Sequence, residues 1–119
     1  MIQVSLVIPV FDEQESLPEL HNWISRVMDE HGLSYEIIFV NDGSKDKSWE
    51  VIQKLSSINP AVKAISFTRN YGKSAALDMG FSKAKGEVVI TMDADLQDSP
   101  DEIPELYRMV IEDGFDVVS

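Results

Sequence analysis

Asp93, Asp95 and Gln97 stand at alternate positions just after a run of β-branched residues, Val88, Val89, Ile90 and Thr91. In an extended backbone, residues two apart point to the same side, so these oxygens face one point at the end of a strand. Two carboxylates held that close are costly unless a cation sits between them. A hard divalent ion takes oxygen donors and keeps positions free for phosphate, so the trio reads as a metal site able to hold a diphosphate. A structural reading competes with it: Asp95 or Asp98 complements only the N-terminus of the helix starting at Ser99-Pro100-Asp101-Glu102.

The elements that would position this acid pair alternate along the chain. Val4–Val10, Tyr35–Val40 and Val62–Phe67 are short apolar runs bounded by turn residues, and the run at Val88 makes a fourth strand. A fifth is expected at Phe115–Val118. Between the first two strands, Leu17, Leu20, Ile24, Val27 and Met28 recur at helical spacing, with Ser16 and Glu19 in a capping-box pattern and Gly32 as the stop. Trp49, Ile52 and Leu55 mark a second helix that ends before Asn59-Pro60. Ser74–Ala84 is a third, whose small residues Ala75, Ala76 and Gly80 allow close approach to a sheet. Ser99 as cap, Pro100 as first residue and Glu102 open a fourth with Ile103, Leu106, Tyr107, Val110 and Ile111 on one face and Gly114 at its end. His21 and His31 are expected to be exposed, and Trp23 and Trp49 to pack.

Strands alternating with helices imply an α/β fold, a mostly parallel sheet in three αβα layers, within a single domain over residues 1–119. Ligands of such sheets bind beyond the carboxyl ends of the strands. The segments there are PVFDE, VNDGS, SFTRNYGK and MDADLQ, three acidic and one basic. Their convergence is the main functional signal.

Net charge is −11, which argues against nonspecific binding to nucleic acid or to an acidic membrane surface. Five of the ten basic residues fall between Lys63 and Lys85, whereas nine acids and one base follow from Asp93 onward. An anionic ligand therefore needs the first region, or a bound metal, to offset the second. No cysteine is present, which excludes disulfides and thiolate metal sites. No apolar run approaches the roughly 20 residues of a bilayer span, and no basic region precedes the first strand, so a cytoplasmic location is expected.

Spacing rejects several phosphate-binding motifs. The turn after the first strand, Phe11-Asp12-Glu13, has no glycine for a dinucleotide fingerprint. Phe67 stands where a P-loop ending in Gly72-Lys73-Ser74 needs glycine. An EF-hand loop from Asp93 would need glycine at Asp98 and glutamate at Pro104. A receiver-like signalling module matches in length and layout, with Asp12 and Glu13 as its acid pair, but the third strand ends without the phosphoacceptor carboxylate.

PVFDEQESLPEL, YEIIFVNDGSKDKS, RNYGKSAALDMGFSKAKG and VVITMDADLQDSP together resemble the N-terminal half of family 2 glycosyltransferases. Within that family they are most similar to the polyprenyl-phosphate branch, which includes dolichyl-phosphate mannosyltransferases and undecaprenyl-phosphate sugar transferases. The resemblance implies a GT-A fold and transfer of a sugar, with inversion, from a nucleotide-diphosphate sugar to a polyprenyl phosphate. A glycan hydroxyl acceptor is the alternative within the family. It implies nucleotide-sugar contacts from Pro9, Phe11, Glu13, Val40, Asp42, Lys73, Asp93, Ala94 and Asp95, and an Mg2+ or Mn2+ site from Asp93, Asp95 and Gln97. Phe11 keeps a flat stacking surface where the family usually has tyrosine, Asp12 replaces the usual asparagine, and Asn41 replaces the first acid of D-D-G-S. Arg69 is an alternative to Lys73 as second cationic contact.

The attacking phosphate oxygen of such an acceptor is already largely anionic, so a strong general base is less necessary than for a hydroxyl. The catalytic residues, the lipid-phosphate site and any membrane contact are expected beyond residue 119. The full-length protein is then expected at the cytoplasmic face of a membrane, and these residues alone are expected to turn over no acceptor.

Overall fold

The computed structural model describes residues 1–114. Strands β1 (Val4–Val10), β2 (Tyr35–Asn41), β3 (Val62–Ser66) and β4 (Val88–Thr91) alternate with helices α1 (Leu17–Glu30), α2 (Ser48–Ile58), α3 (Lys73–Lys83) and α4 (Ile103–Asp113). The strands form one parallel sheet in the order β3-β2-β1-β4. The α/β, three-layer expectation is met. The strand expected at Phe115–Val118 lies outside the described residues.

The strands read as continuous apolar runs because both faces of the sheet are covered. Alternation still sorts their side chains. Leu6, Ile8, Ile37, Phe39 and Ile90 face α1, α2 and the start of α4, whose Leu20, Ile24, Met28, Ile52 and Ile103 complete the larger core. Val7, Ile38 and Val40 face the other way, onto Ala76 of α3. Gly80 lets α3 lie directly on β1: a Cβ there would meet Val7 Cγ1 at 2.2 Å. Among the described residues, α3 is the one helix on its face.

Strand order sets where a ligand can enter. The chain builds outward from β1 to β2 and β3, then returns to the opposite side of β1 for β4. Right-handed crossovers running in opposite directions place their helices on opposite faces, which separates α3 from α1 and α2. The loops leaving β1 and β4 diverge, opening a crevice at this switch point. Pro9 widens it. The Met92 amide donates to the Val7 carbonyl, so alternate residues of β1 turn their backbone groups toward β4. Pro9 is next in that series, and it has no N–H to offer. The β1–β4 register ends at Val7↔Thr91.

At the far ends of the strands, Glu36 is buried with its carboxylate fully engaged. Lys63 Nζ lies 2.5 Å from Oε1, while Oε2 accepts from the Ser5 hydroxyl (2.5 Å) and the Lys85 amide (2.7 Å). Burial alone would push Glu36 up, but these donors outweigh it and hold the carboxyl below its ordinary value. The network ties the turn before β4 to the sheet.

Three expectations are corrected. Ser16 is helical and caps nothing; its hydroxyl donates to the Ala94 carbonyl at 2.6 Å, a partner far away in sequence. Ser99 caps a 3-10 turn at Pro100–Glu102, accepting from the Asp101 amide, and α4 starts only at Ile103. His21 is buried rather than exposed. Its Nε2 accepts from Asn59 Nδ2 (3.0 Å), which leaves Nδ1–H to donate to Asn22 Oδ1 (3.0 Å). Among the described residues, no helix is long and apolar enough to cross a membrane.

Candidate active site

The crevice between the ends of β1 and β4 is a cleft of about 330 Å³, lined by Pro9, Val10, Phe11, Glu13, Asp42, Lys73, Asp93, Ala94 and Asp95. Eight of the ten residues expected at the site line it, drawn from four loops. Two do not. Val40 is fully buried in the sheet beside Pro9, its register partner, and Gln97 is exposed outside the cleft lining. Val10 lines the cleft without having been expected there, since it reads as one more apolar residue of the strand.

The floor is held by cross-lacing of the loops after β1 and β2. Asp12 takes a left-handed backbone (φ 53°), which aspartate tolerates better than most residues. Its Oδ1 accepts from the Lys45 (2.7 Å) and Asp46 (3.3 Å) amides, and its own amide donates to Ser44 Oγ (2.9 Å). The Glu13 amide donates to Ser48 Oγ (2.9 Å), and the Gln14 amide to Asp46 Oδ2 (3.2 Å). Burial would raise Asp46, but hydrogen bonds from the Ser48 hydroxyl and amide and from Gln14 hold its carboxyl below the ordinary value. Phe11, at 42% exposure, is left with a free face at the mouth.

Asp42 is buried, and both its oxygens are engaged: Oδ1 accepts from the Tyr71 amide (2.7 Å) and Oδ2 from the Gly72 amide (3.1 Å). Asn70 Nδ2 adds a bond to the Asp42 carbonyl (3.2 Å). Gly43 lies against the same loop so closely that a Cβ would meet Arg69 C at 2.3 Å, and its φ of 71° favours glycine independently. A carboxylate offers about four lone-pair sites, so Asp42 keeps capacity toward the cleft.

This grip fixes the start of α3 and hence Lys73. The Lys73 ammonium lies 2.6 Å from Asp93 Oδ1. The hydrogen bond from Lys73 to Asp93 raises its pKa, partly offset by desolvation, with the charges of Asp93, Asp98 and Asp95 adding to the rise. Arg69 is turned elsewhere: its guanidinium sits 4.7 Å over the Tyr71 ring, which also meets Phe67 edge-on. Between the two cationic candidates, Lys73 is the one in the cleft.

The acid loop is folded on itself. Asp98 Oδ2 accepts from the Asp93 amide (2.9 Å), and Asp95 Oδ1 from the Gln97 amide (3.2 Å). Leu96 between them is left-handed at φ 67°, an uncommon and strained state for leucine. The donor set suits a hard cation, and a cation is already drawn to it in the form of the Lys73 ammonium. Among the described residues no group of three or more His, Asp or Glu side chains could hold a metal by itself. Asp93 and Asp95 supply the one or two carboxylates that a hard divalent ion takes when substrate phosphates and water complete its shell.

The supporting residues Asp12, Ser16, Ser44, Ser48 and Asp98 were invisible as such in the sequence, because their partners lie in other loops or on backbone amides. Asp12 had one available sign: an aspartate replacing asparagine, the other residue that tolerates a left-handed backbone.

Comparison with known proteins places this geometry in context. The chain is 45% identical over 117 residues to the undecaprenyl-phosphate 4-deoxy-4-formamido-L-arabinose transferase of Salmonella paratyphi B, and 43% identical over 117 residues to the uncharacterized glycosyltransferase YkcC of Bacillus subtilis. Each alignment covers 98% of this chain but 36% of the relative's length. Among solved structures, the mannosyltransferase PcManGT from Pyrobaculum calidifontis, in complex with GDP-Man and Mn2+, superimposes with a TM-score of 0.78 at 22% identity. That match covers 92% of this chain and 32% of the other. S. aureus TarS 1-349 with UDP-GlcNAc gives a TM-score of 0.72 at 19% identity, over 93% and 32% of the two chains. Both structures share the fold. The family model for glycosyl transferase family 2 matches residues 5–119, and the chain belongs to that family.

Proposed function

We propose that residues 1–119 form the nucleotide-sugar-binding part of a longer GT-A glycosyltransferase domain, which transfers a sugar with inversion to a polyprenyl phosphate. The observation that carries this reading is the cleft at the switch point, where an aromatic face, a buried carboxylate, an acid pair and a lysine converge. Phe11 offers a stacking surface for a base, and Asp42 an acceptor for a base N–H. Glu13 and the Pro9–Val10 edge flank the nucleoside. Asp93 and Asp95 would hold Mg2+ or Mn2+, which neutralises diphosphate charge and so favours departure of the nucleoside diphosphate.

In the transfer, an anionic phosphate oxygen of the acceptor forms a bond to the anomeric carbon as the bond from that carbon to the diphosphate oxygen breaks. The nucleoside diphosphate leaves with the electron pair. The acceptor choice is supported by the Salmonella relative, an undecaprenyl-phosphate sugar transferase. A polyprenyl chain is held in a bilayer, so the whole protein would work at a membrane, on the cytoplasmic face where its donor is present.

Titration of UDP and GDP by calorimetry tests the donor site. Binding is expected with Mg2+ or Mn2+ present and is expected to disappear with chelator or in Asp95→Ala. Equal affinity with chelator would remove the metal role, and no binding of either nucleotide would remove the donor site itself.

A further inference from the structure

We propose that Lys73 is a built-in counter-cation of the acid pair, which a divalent ion must displace from Asp93 and which the nucleoside diphosphate then takes as its own partner. The proposal rests on the donor-site reading above and adds a linkage: ion and nucleotide bind together much better than either does alone.

The geometry points this way from both residues. Asp93 is positioned by its neighbours, with its amide held by Asp98, so its carboxylate stays at the cleft wall. Lys73 is placed from below, because Asp42 grips the Tyr71 and Gly72 amides immediately before α3. Its side chain, by contrast, is 61% exposed and has Asp93 as its one hydrogen-bond partner among the described residues. A four-carbon stem with that exposure can swing the ammonium several ångströms at little cost. Arg69 cannot substitute for it while stacked on Tyr71.

Charge then sets the order of events. Four carboxylates, Glu13, Asp42, Asp93 and Asp95, and one ammonium line the cleft, a formal charge of −3. A divalent ion entering alone must still compete with the ammonium for Asp93, and the two cations repel each other across it. A diphosphate adds negative charge and offers the released ammonium new oxygens. Lys73 therefore opposes the ion by itself and supports the ion with its nucleotide. A pair this exposed to water limits the competition to about two- to fivefold.

The test separates the two effects by their opposite signs. Mn2+ alone is titrated into the full chain and free ion followed by electron paramagnetic resonance, in the unaltered protein, Lys73→Met and Lys73→Arg. UDP and GDP are then titrated at saturating Mn2+. Lys73→Met is expected to bind Mn2+ alone about two- to fivefold more tightly, yet to bind nucleoside diphosphate about tenfold more weakly. Lys73→Arg is expected to stay near the unaltered protein in both. Unchanged or weaker Mn2+ binding in Lys73→Met would overturn the displacement, whatever happened to the nucleotide. If the unaltered chain bound no nucleoside diphosphate, the donor-site reading would fall. The Mn2+ arm would still decide whether Lys73 and the ion compete.

Discussion

Asp42 illustrates how one side chain at the cleft serves structure and ligand together. Hydrogen bonds to a charged acceptor are worth roughly 1.5–3 kcal/mol each, and Asp42 accepts two from the amides of a partly exposed turn, which favours the low end of their sum. Asp42→Ala is therefore expected to lower the unfolding free energy by about 3 kcal/mol in protein without nucleotide, measured by urea titration. A residue that faced only the ligand would leave that value unchanged. The family resemblance marks Asp42 as a nucleotide-sugar contact. It does not show the grip on Tyr71 and Gly72, because the partners are main-chain amides 29 and 30 positions away. Ser16 misled for the same reason: its spacing to Glu19 fits a cap, but the Ala94 carbonyl across the cleft is the partner it takes.

The elements themselves were more legible. Strands buried on both faces and helices with an apolar stripe carry their signals locally, so the four strands and four helices among the described residues were anticipated to within a few residues. Strand order was not, since nothing in the apolar runs says which side of β1 receives β4. Small residues foretold that α3 would lie close to the sheet, and Gly80 against Val7 is the contact that realises it. Alanine at 80 gains helix propensity of about 1 kcal/mol but must move β1 or α3, and overpacking of this kind typically costs 1–3 kcal/mol. Gly80→Ala is expected to be destabilising overall, and adding Val7→Ala should recover part of the loss. A double-mutant cycle on thermal unfolding measures that coupling; strict additivity would mean that the two residues do not press on each other.

At the scale of the molecule, acid stability should turn on the end of the sheet opposite the cleft. Glu36 is held below its ordinary value of 4.5 in the folded chain, so the unfolded chain binds more protons there as pH falls. Its stabilisation is complete above that ordinary value and is lost as pH drops through the lower, folded one. Urea unfolding between pH 3 and 7 should show stability falling at the acid end. Glu36→Gln should show a lower plateau and a shallower fall; an unchanged acid limb would assign the loss to other carboxylates. Asp46, also held low, contributes with the same sign from the cleft side.

The seat of α3 on β1 has a mechanical corollary. Lys73 opens the helix and Gly80 touches the sheet two turns later, about 10 Å along the axis at 1.5 Å per residue. The helix is seated along this length, with Gly80 on Val7 and Ala76 against Ile38 and Val40, and its charged tip stands over Asp93. A tilt of about 6° about Gly80 would carry the helix start by about 1 Å, a shift the flexible Lys73 stem can follow while keeping its ion pair. A single methyl group added at position 80 would therefore be felt in the packing of the sheet before it is felt in the charge of the cleft.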